Sequence, residues 1–197
     1  MRPACQNKVV PLESYKLKRS ADKGFKRWKY FFELPPYPDE NTQWSDLSDR
    51  LILFLCEDST ESRLAIYDLL MGAYDLGRGY ELESLPPPQL LPLLDVHLFI
   101  TDQVRFECMR RLGWIEDIPK EGQPIIAQVL GVAGPKHTGR PETPKPGRQH
   151  PAYREYLKAK CFDRGVLVRQ HIPDAIRQFK GMLAEQNRRP HEKSSEP

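Results

Sequence analysis

Nineteen prolines in 197 residues, nearly twice what an average usage of about 5% would give, divide this chain before any other signal does. Many of them are gathered in three places. Pro35, Pro36 and Pro38 form the first cluster, and Pro86, Pro87 and Pro88 the second. Pro135, Pro141, Pro144, Pro146 and Pro151 form the third, which also holds Gly134, Gly139 and Gly147. Proline removes a backbone donor and pushes the residue before it to extended angles, so clusters of this kind punctuate regular structure. The sequence between them is read as the folding part.

There the apolar residues recur at helical spacing. Phe25, Trp28 and Phe32 lie on one face of a short helix within 23–32. Ser45 can cap a helix carrying Leu47, Leu51, Phe54 and Leu55, although the run Leu51–Cys56 also fits a buried strand. The Ser-Asp-x-Ser-Asp pattern over residues 45–49 favours helix. Ser59 or Thr60 can cap the next, through Leu64, Ile66, Leu69, Leu70 and Ala73, with Gly77 and Gly79 at its end. Its polar residues Glu61, Asp68 and Asp75 are seven apart and so share one stripe. A third helix spans Pro92–Leu112, closed by Arg110, Arg111 and Gly113. Residues 124–133 fit a short helix or a strand equally well. Beyond the third cluster, 151–161 and 173–186 read as helix, the latter with Ile176, Phe179 and Leu183 on one face.

These patterns predict a mostly α chain. Its parts are an irregular basic segment over 1–22, a helical core domain over 23–133, a Pro/Gly-rich linker over 134–151, a C-terminal helical arm over 152–187 and a disordered tail over 188–197.

Charge is segregated along the chain. Residues 1–32 sum to +7, residues 33–107 to −11, residues 108–134 to zero and residues 135–197 to +7, behind a total of only +3. Two basic ends thus flank an acidic centre. They either fold back on that centre, in one chain or across a dimer, or face an anionic partner. Fold-back is favoured, because opposite charges tethered on one short chain meet at high effective concentration.

Several function classes are excluded or disfavoured. No apolar run approaches the roughly 18 residues of a membrane-spanning helix, and the start of the sequence lacks a secretory signal's apolar stretch. Cys5, Cys56, Cys108 and Cys161 form no close pair, so neither a zinc knuckle nor a disulfide scaffold is indicated. A reduced, cytoplasmic setting is expected. The chain has no nucleophile elbow, no phosphate-cradling glycine loop and no H-E-x-x-H, and no cofactor is expected.

Two sets of residues are candidate sites. Glu57, Asp58 and Glu61 form an acidic group able to hold Mg²⁺ or Mn²⁺ through oxygen ligands, with His97 as a possible base or ligand. Helix-start carboxylates also suit the macrodipole, which is the stronger reading. The second set is basic and aromatic. Lys23, Lys26, Arg27, Trp28 and Lys29 can contact an anionic partner, or anchor the segment to the core while the lysines meet acidic side chains. The leading expectation is a non-enzymatic interaction protein, binding a protein partner or a second copy of itself through charged surfaces. The alternatives are a metal-dependent hydrolase and a nucleic-acid-binding accessory protein.

Overall fold

A computed structural model describes residues 12–32, 37–132 and 143–192 of the chain. It is 69% helical, so the fold class is mostly α. Among the described residues the helices are α1 (Leu12–Gly24), α2 (Trp28–Phe31), α3 (Asp49–Cys56), α4 (Thr60–Ala73) and α5 (Pro87–Arg111), then α6 (Ile125–Val132), α7 (Tyr153–Lys158), α8 (Cys161–Arg169) and α9 (Ile172–Glu192). Strands β1 (Ile115–Asp117) and β2 (Lys145–Pro146) pair antiparallel. None of these helices is long and apolar enough to cross a membrane.

Serines start the helices of the centre. Ser48 Oγ accepts from the Leu51 N–H at 3.3 Å and opens α3, and Ser59 Oγ accepts from the Ser62 N–H at 3.1 Å and opens α4. Ser45 lies one turn earlier, in a 3₁₀ turn over Trp44–Asp46. Residues 51–56 are therefore helical, as are 125–132. Helix α5 is the axis of the fold. Its Val96, Ile100, Val104 and Cys108 are buried in the main core with Leu51, Ile52 and Leu55 of α3, Leu69 and Leu70 of α4, and Ile125 and Val129 of α6. Phe106 and Met109 belong to a second cluster with Trp114, Ile115, Val168, Ile172 and Ala175. Pro92 sits inside α5, and the carbonyl it leaves without an amide belongs to exposed Pro88, where water can satisfy it.

Helices α1 and α4 cross with their backbones almost touching. A Cβ added at Gly72 would lie 2.6 Å from the Lys23 carbonyl oxygen, and one at Gly24 would lie 3.0 Å from that of Leu69. Glycine is required here for approach.

The structure departs from the sequence expectations in three places. Residues 12–22 are helical, not irregular. Helix α1 presents few apolar residues and docks through Ala21 and Gly24, small side chains that give a weak periodic signal. Residues 143–151 are not a loose linker. Lys145–Pro146 pairs with β1, the Gly147 N–H donates to the Trp114 carbonyl at 2.8 Å, and His150 is buried. Backbone pairing needs no apolar side chain, which is why composition misses it. The segment 152–187 is helical as expected, and its apolar face docks on the same chain: Phe179 is fully buried in the main core, with Ile176 and Leu183 packed on it, so α9 lies on α3 and α5. The helix then continues through 188–192, where the expectation was disorder, because adding residues to a docked helix avoids the cost of a new nucleus. The expectations for 1–11, 33–36, 133–142 and 193–197 lie outside the described residues.

The basic ends do fold back within the chain. Lys23 and Arg19 reach Asp75, at 2.5 and 3.4 Å, and Arg27 reaches Asp68 at 3.3 Å. From the other end, Lys180 pairs with Glu57 at 2.7 Å and Arg169 with Asp102 at 2.8 Å.

Candidate anion-binding cleft

Where the N-terminal helices meet the end of α4, a cleft of about 620 Å³ opens. Lys23, Lys26, Arg27, Tyr30 and Phe31 line one side, and Asp68, Asp75 and Arg78 the other. Its floor is built around Asp68. That carboxylate is buried, accepting from the Gly79 N–H at 2.7 Å and from Arg27 Nη1 at 3.3 Å. A Cβ on Gly79 would lie 2.9 Å from the Asp68 amide nitrogen, so this chain crossing also excludes larger residues. Asp75 follows α4 in the left-handed region, φ 60°. The Lys23 ammonium, with Arg19 behind it, holds the Asp75 carboxyl below the usual carboxylate range.

The aromatic residues of 25–32 divide by direction. Trp28, a candidate either for partner contact or for anchoring the segment, is an anchor in the core. It is 1% exposed, its Nε1–H donates to the Ala65 carbonyl at 2.9 Å, and Phe25 and Phe32 meet it edge-on at 5.4 and 5.9 Å. A one-turn helix cannot bury all its sides, so Tyr30 and Phe31 face outward at 79% and 70% exposure. The cations divide in the same way. Lys23 and Arg27 are engaged with Asp75 and Asp68. Lys26 and Arg78 have no carboxylate partner among the described residues, the Arg78 guanidinium lying 5.8 Å over the Tyr80 ring. Lys29 is half-buried and does not line the cleft.

The acidic candidates are scattered among other tasks. Glu57 is paired with Lys180 of α9. Asp58, at φ 54° between α3 and α4, stands 3.8 Å from Arg63 and 3.7 Å from Arg105. Glu61 is exposed in the first turn of α4, where the dipole favours it. His97 stacks on the Tyr67 ring at 4.4 Å, and burial lowers its pKa. Among the described residues no three His, Cys, Asp or Glu side chains gather as a metal site. Cys56 and Cys108 are buried, and the Cys108 thiol, followed by burial, raises the Cys56 pKa well above its ordinary value. A thiol held protonated is a poor nucleophile.

Arg78 is the cleft residue that sequence reasoning missed, because it lies some fifty positions from Lys26 and only the α1–α4 crossing unites them. The Asp68–Asp75 spacing was the available signal, since it marks the α4 stripe that the basic segment meets. No family model, curated protein or solved structure matches the chain.

Proposed function

We propose that this protein is a non-catalytic interaction module whose cleft holds a short acidic segment of a partner protein, with an apolar residue of that segment on Tyr30 and Phe31. The observation behind this reading is the pairing of two cations that have no carboxylate partner among the described residues, Lys26 and Arg78, with two outward aromatic rings at one cleft. The count of free cations favours a peptide over nucleic acid. Two cations match one or two carboxylates, whereas duplex binders commonly neutralise about six to ten phosphates. Aromatic side chains and arginine are the residue types enriched at protein interfaces. The reducing cytoplasm is the compartment this reading assigns, in keeping with widely spaced cysteines.

The test is fluorescence anisotropy of the intact protein with three labelled probes: a Glu/Asp-rich peptide bearing one Phe, the same peptide with Phe replaced by Gly, and a single-stranded oligonucleotide. The expected order of affinity is the Phe-bearing acidic peptide, then its Gly counterpart at least about fivefold weaker, a difference of about 1 kcal/mol. Phe31→Ala should erase that difference. Tighter, steeply salt-dependent binding of the oligonucleotide would overturn the reading.

A further inference from the structure

The turn that leaves the cleft is itself an acidic, aromatic segment. From Arg78 on the cleft wall the chain enters a 3₁₀ turn over Gly79–Ser84. The Gly79 N–H is tied to the Asp68 carboxylate on the cleft floor. The Arg78 N–H donates to Glu81 Oε2 at 2.7 Å, so Glu81 is occupied in holding the turn. Tyr80 and Glu83 have no such task. Tyr80 is 59% exposed, its hydroxyl accepting from Arg78 Nη1 at 3.3 Å. Glu83 is exposed and has no cation partner among the described residues. At about 2 Å of rise per residue in a 3₁₀ turn, it lies within about 8 Å of Gly79, beside the cleft.

One face of the molecule therefore carries both halves of a contact. The cleft offers Lys26, Arg78 and the rings of Tyr30 and Phe31, and the adjoining turn offers a carboxylate and a third exposed ring. A twofold dimer makes each contact twice, residue i on j and j on i, which requires the inserted segment and its receptor to share one face. The turn meets that requirement, because the Gly79–Asp68 hydrogen bond fixes it to the cleft. Another exposed stretch of similar composition, Tyr37 to Glu40, is less suited. There the Asp39 carboxylate is already engaged, accepting from the Asn41 N–H at 2.8 Å and from the Thr42 hydroxyl at 3.2 Å.

Resting on the reading of the cleft given above, we propose that its partner is a second copy of this chain. Across a twofold axis, Tyr80 of each copy lies on Tyr30 and Phe31 of the other, and Glu83 of each meets Lys26 or Arg78 of the other. The cleft volume, equivalent to about twenty waters at roughly 30 Å³ each, admits a tyrosine ring. Three rings per copy, each losing about half of the roughly 150–250 Å² that an aromatic side chain can bury, give about 450–750 Å² in the dimer. That is the range of weak, transient contacts, so the dimer should dissociate with a Kd of about 10–100 µM.

The experiment is sedimentation equilibrium of the full chain from about 5 to 500 µM, a range that brackets this Kd. The weight-average mass should rise from that of one chain towards that of two. Tyr80→Ala, Glu83→Lys, Lys26→Glu and Arg78→Glu all change exposed side chains, and the first two should each weaken the dimer at least about fivefold. Glu83→Lys combined with Lys26→Glu, or with Arg78→Glu, should restore wild-type dimerisation in one of the two combinations, which names the ion pair. The Phe-bearing acidic peptide, at saturation, should return the wild type to monomer. A monomer over the whole range would overturn the inference, as would a dimer indifferent to Tyr80→Ala and Glu83→Lys, rescue by neither combination, or a dimer that persists with the peptide bound. Peptide binding by a chain that stays monomeric is a failure of this inference alone. A dimer that passes the charge exchange while the peptide does not bind would uphold the inference and reject the broader reading of the cleft as a site for other acidic segments.

Discussion

His150 gives the chain a pH dependence whose size follows from its surroundings. The side chain is 2% exposed, Trp114 meets its ring edge-on at 5.7 Å and His171 at 5.4 Å, and its Nδ1 accepts from the Ala152 N–H at 3.1 Å. Burial first, and the neighbouring His171 second, lower its pKa to about 4. The folded chain therefore resists protonation, while an unfolded chain takes up a proton near an ordinary value of about 6.5. The contribution is intact above that value and is lost as pH falls from about 6.5 towards 4. Linkage gives a loss of about 1.3 kcal/mol between pH 7.5 and 5.5, and of about 2.5 kcal/mol by pH 4.5. Urea denaturation of the wild type and of His150→Asn at the three pH values isolates this part. Asparagine keeps an acceptor for the Ala152 amide but does not titrate, and the other groups cancel in the difference. The wild type should lose its advantage over the variant by these amounts. Parallel pH profiles for the two proteins would refute the reasoning.

Three further outcomes are expected. Gly72→Ala should destabilise by about 1–3 kcal/mol in urea unfolding, at the upper end because the atom it meets, the Lys23 carbonyl, is backbone. Phe179→Ala should cost about 3–5 kcal/mol in the same assay and expose α9 to limited proteolysis, since that ring is fully buried in the main core. Brief alkylation of the native protein followed by peptide mapping should label Cys161, which is exposed, and spare Cys56 and Cys108 until the chain is unfolded.

The central helices were legible in the sequence because their apolar residues keep one spacing over several turns and their starts carry serine caps. Helix α1 and the 143–150 segment were not, for a common reason. Both are held by backbone approach, at Gly24 against Leu69 and at Gly147 against Trp114, and such contacts leave no mark in hydrophobic periodicity. The charge pattern was more informative than any motif. It pointed to contact between basic ends and acidic centre, and the Lys23–Asp75, Arg27–Asp68 and Lys180–Glu57 pairs realise it. Which cations that contact leaves free was not legible, because it depends on where α1 crosses α4. Of the two readings open for Trp28, partner contact or anchoring to the core, the structure shows the second, in keeping with its place on one helix face with Phe25 and Phe32.

The account's central claim is that fold-back ties Arg19, Lys23 and Arg27 to acidic side chains and leaves Lys26 and Arg78 at the cleft to meet a partner. Asp75→Asn tests it most directly. Asparagine tolerates the left-handed backbone at this position, and the change releases Lys23 and Arg19 into the cleft. The measurement is the affinity of this variant for the Phe-bearing acidic peptide, relative to the wild type, in one buffer. Two released surface cations should tighten binding by about three- to tenfold, while an unchanged or weaker affinity would contradict the account.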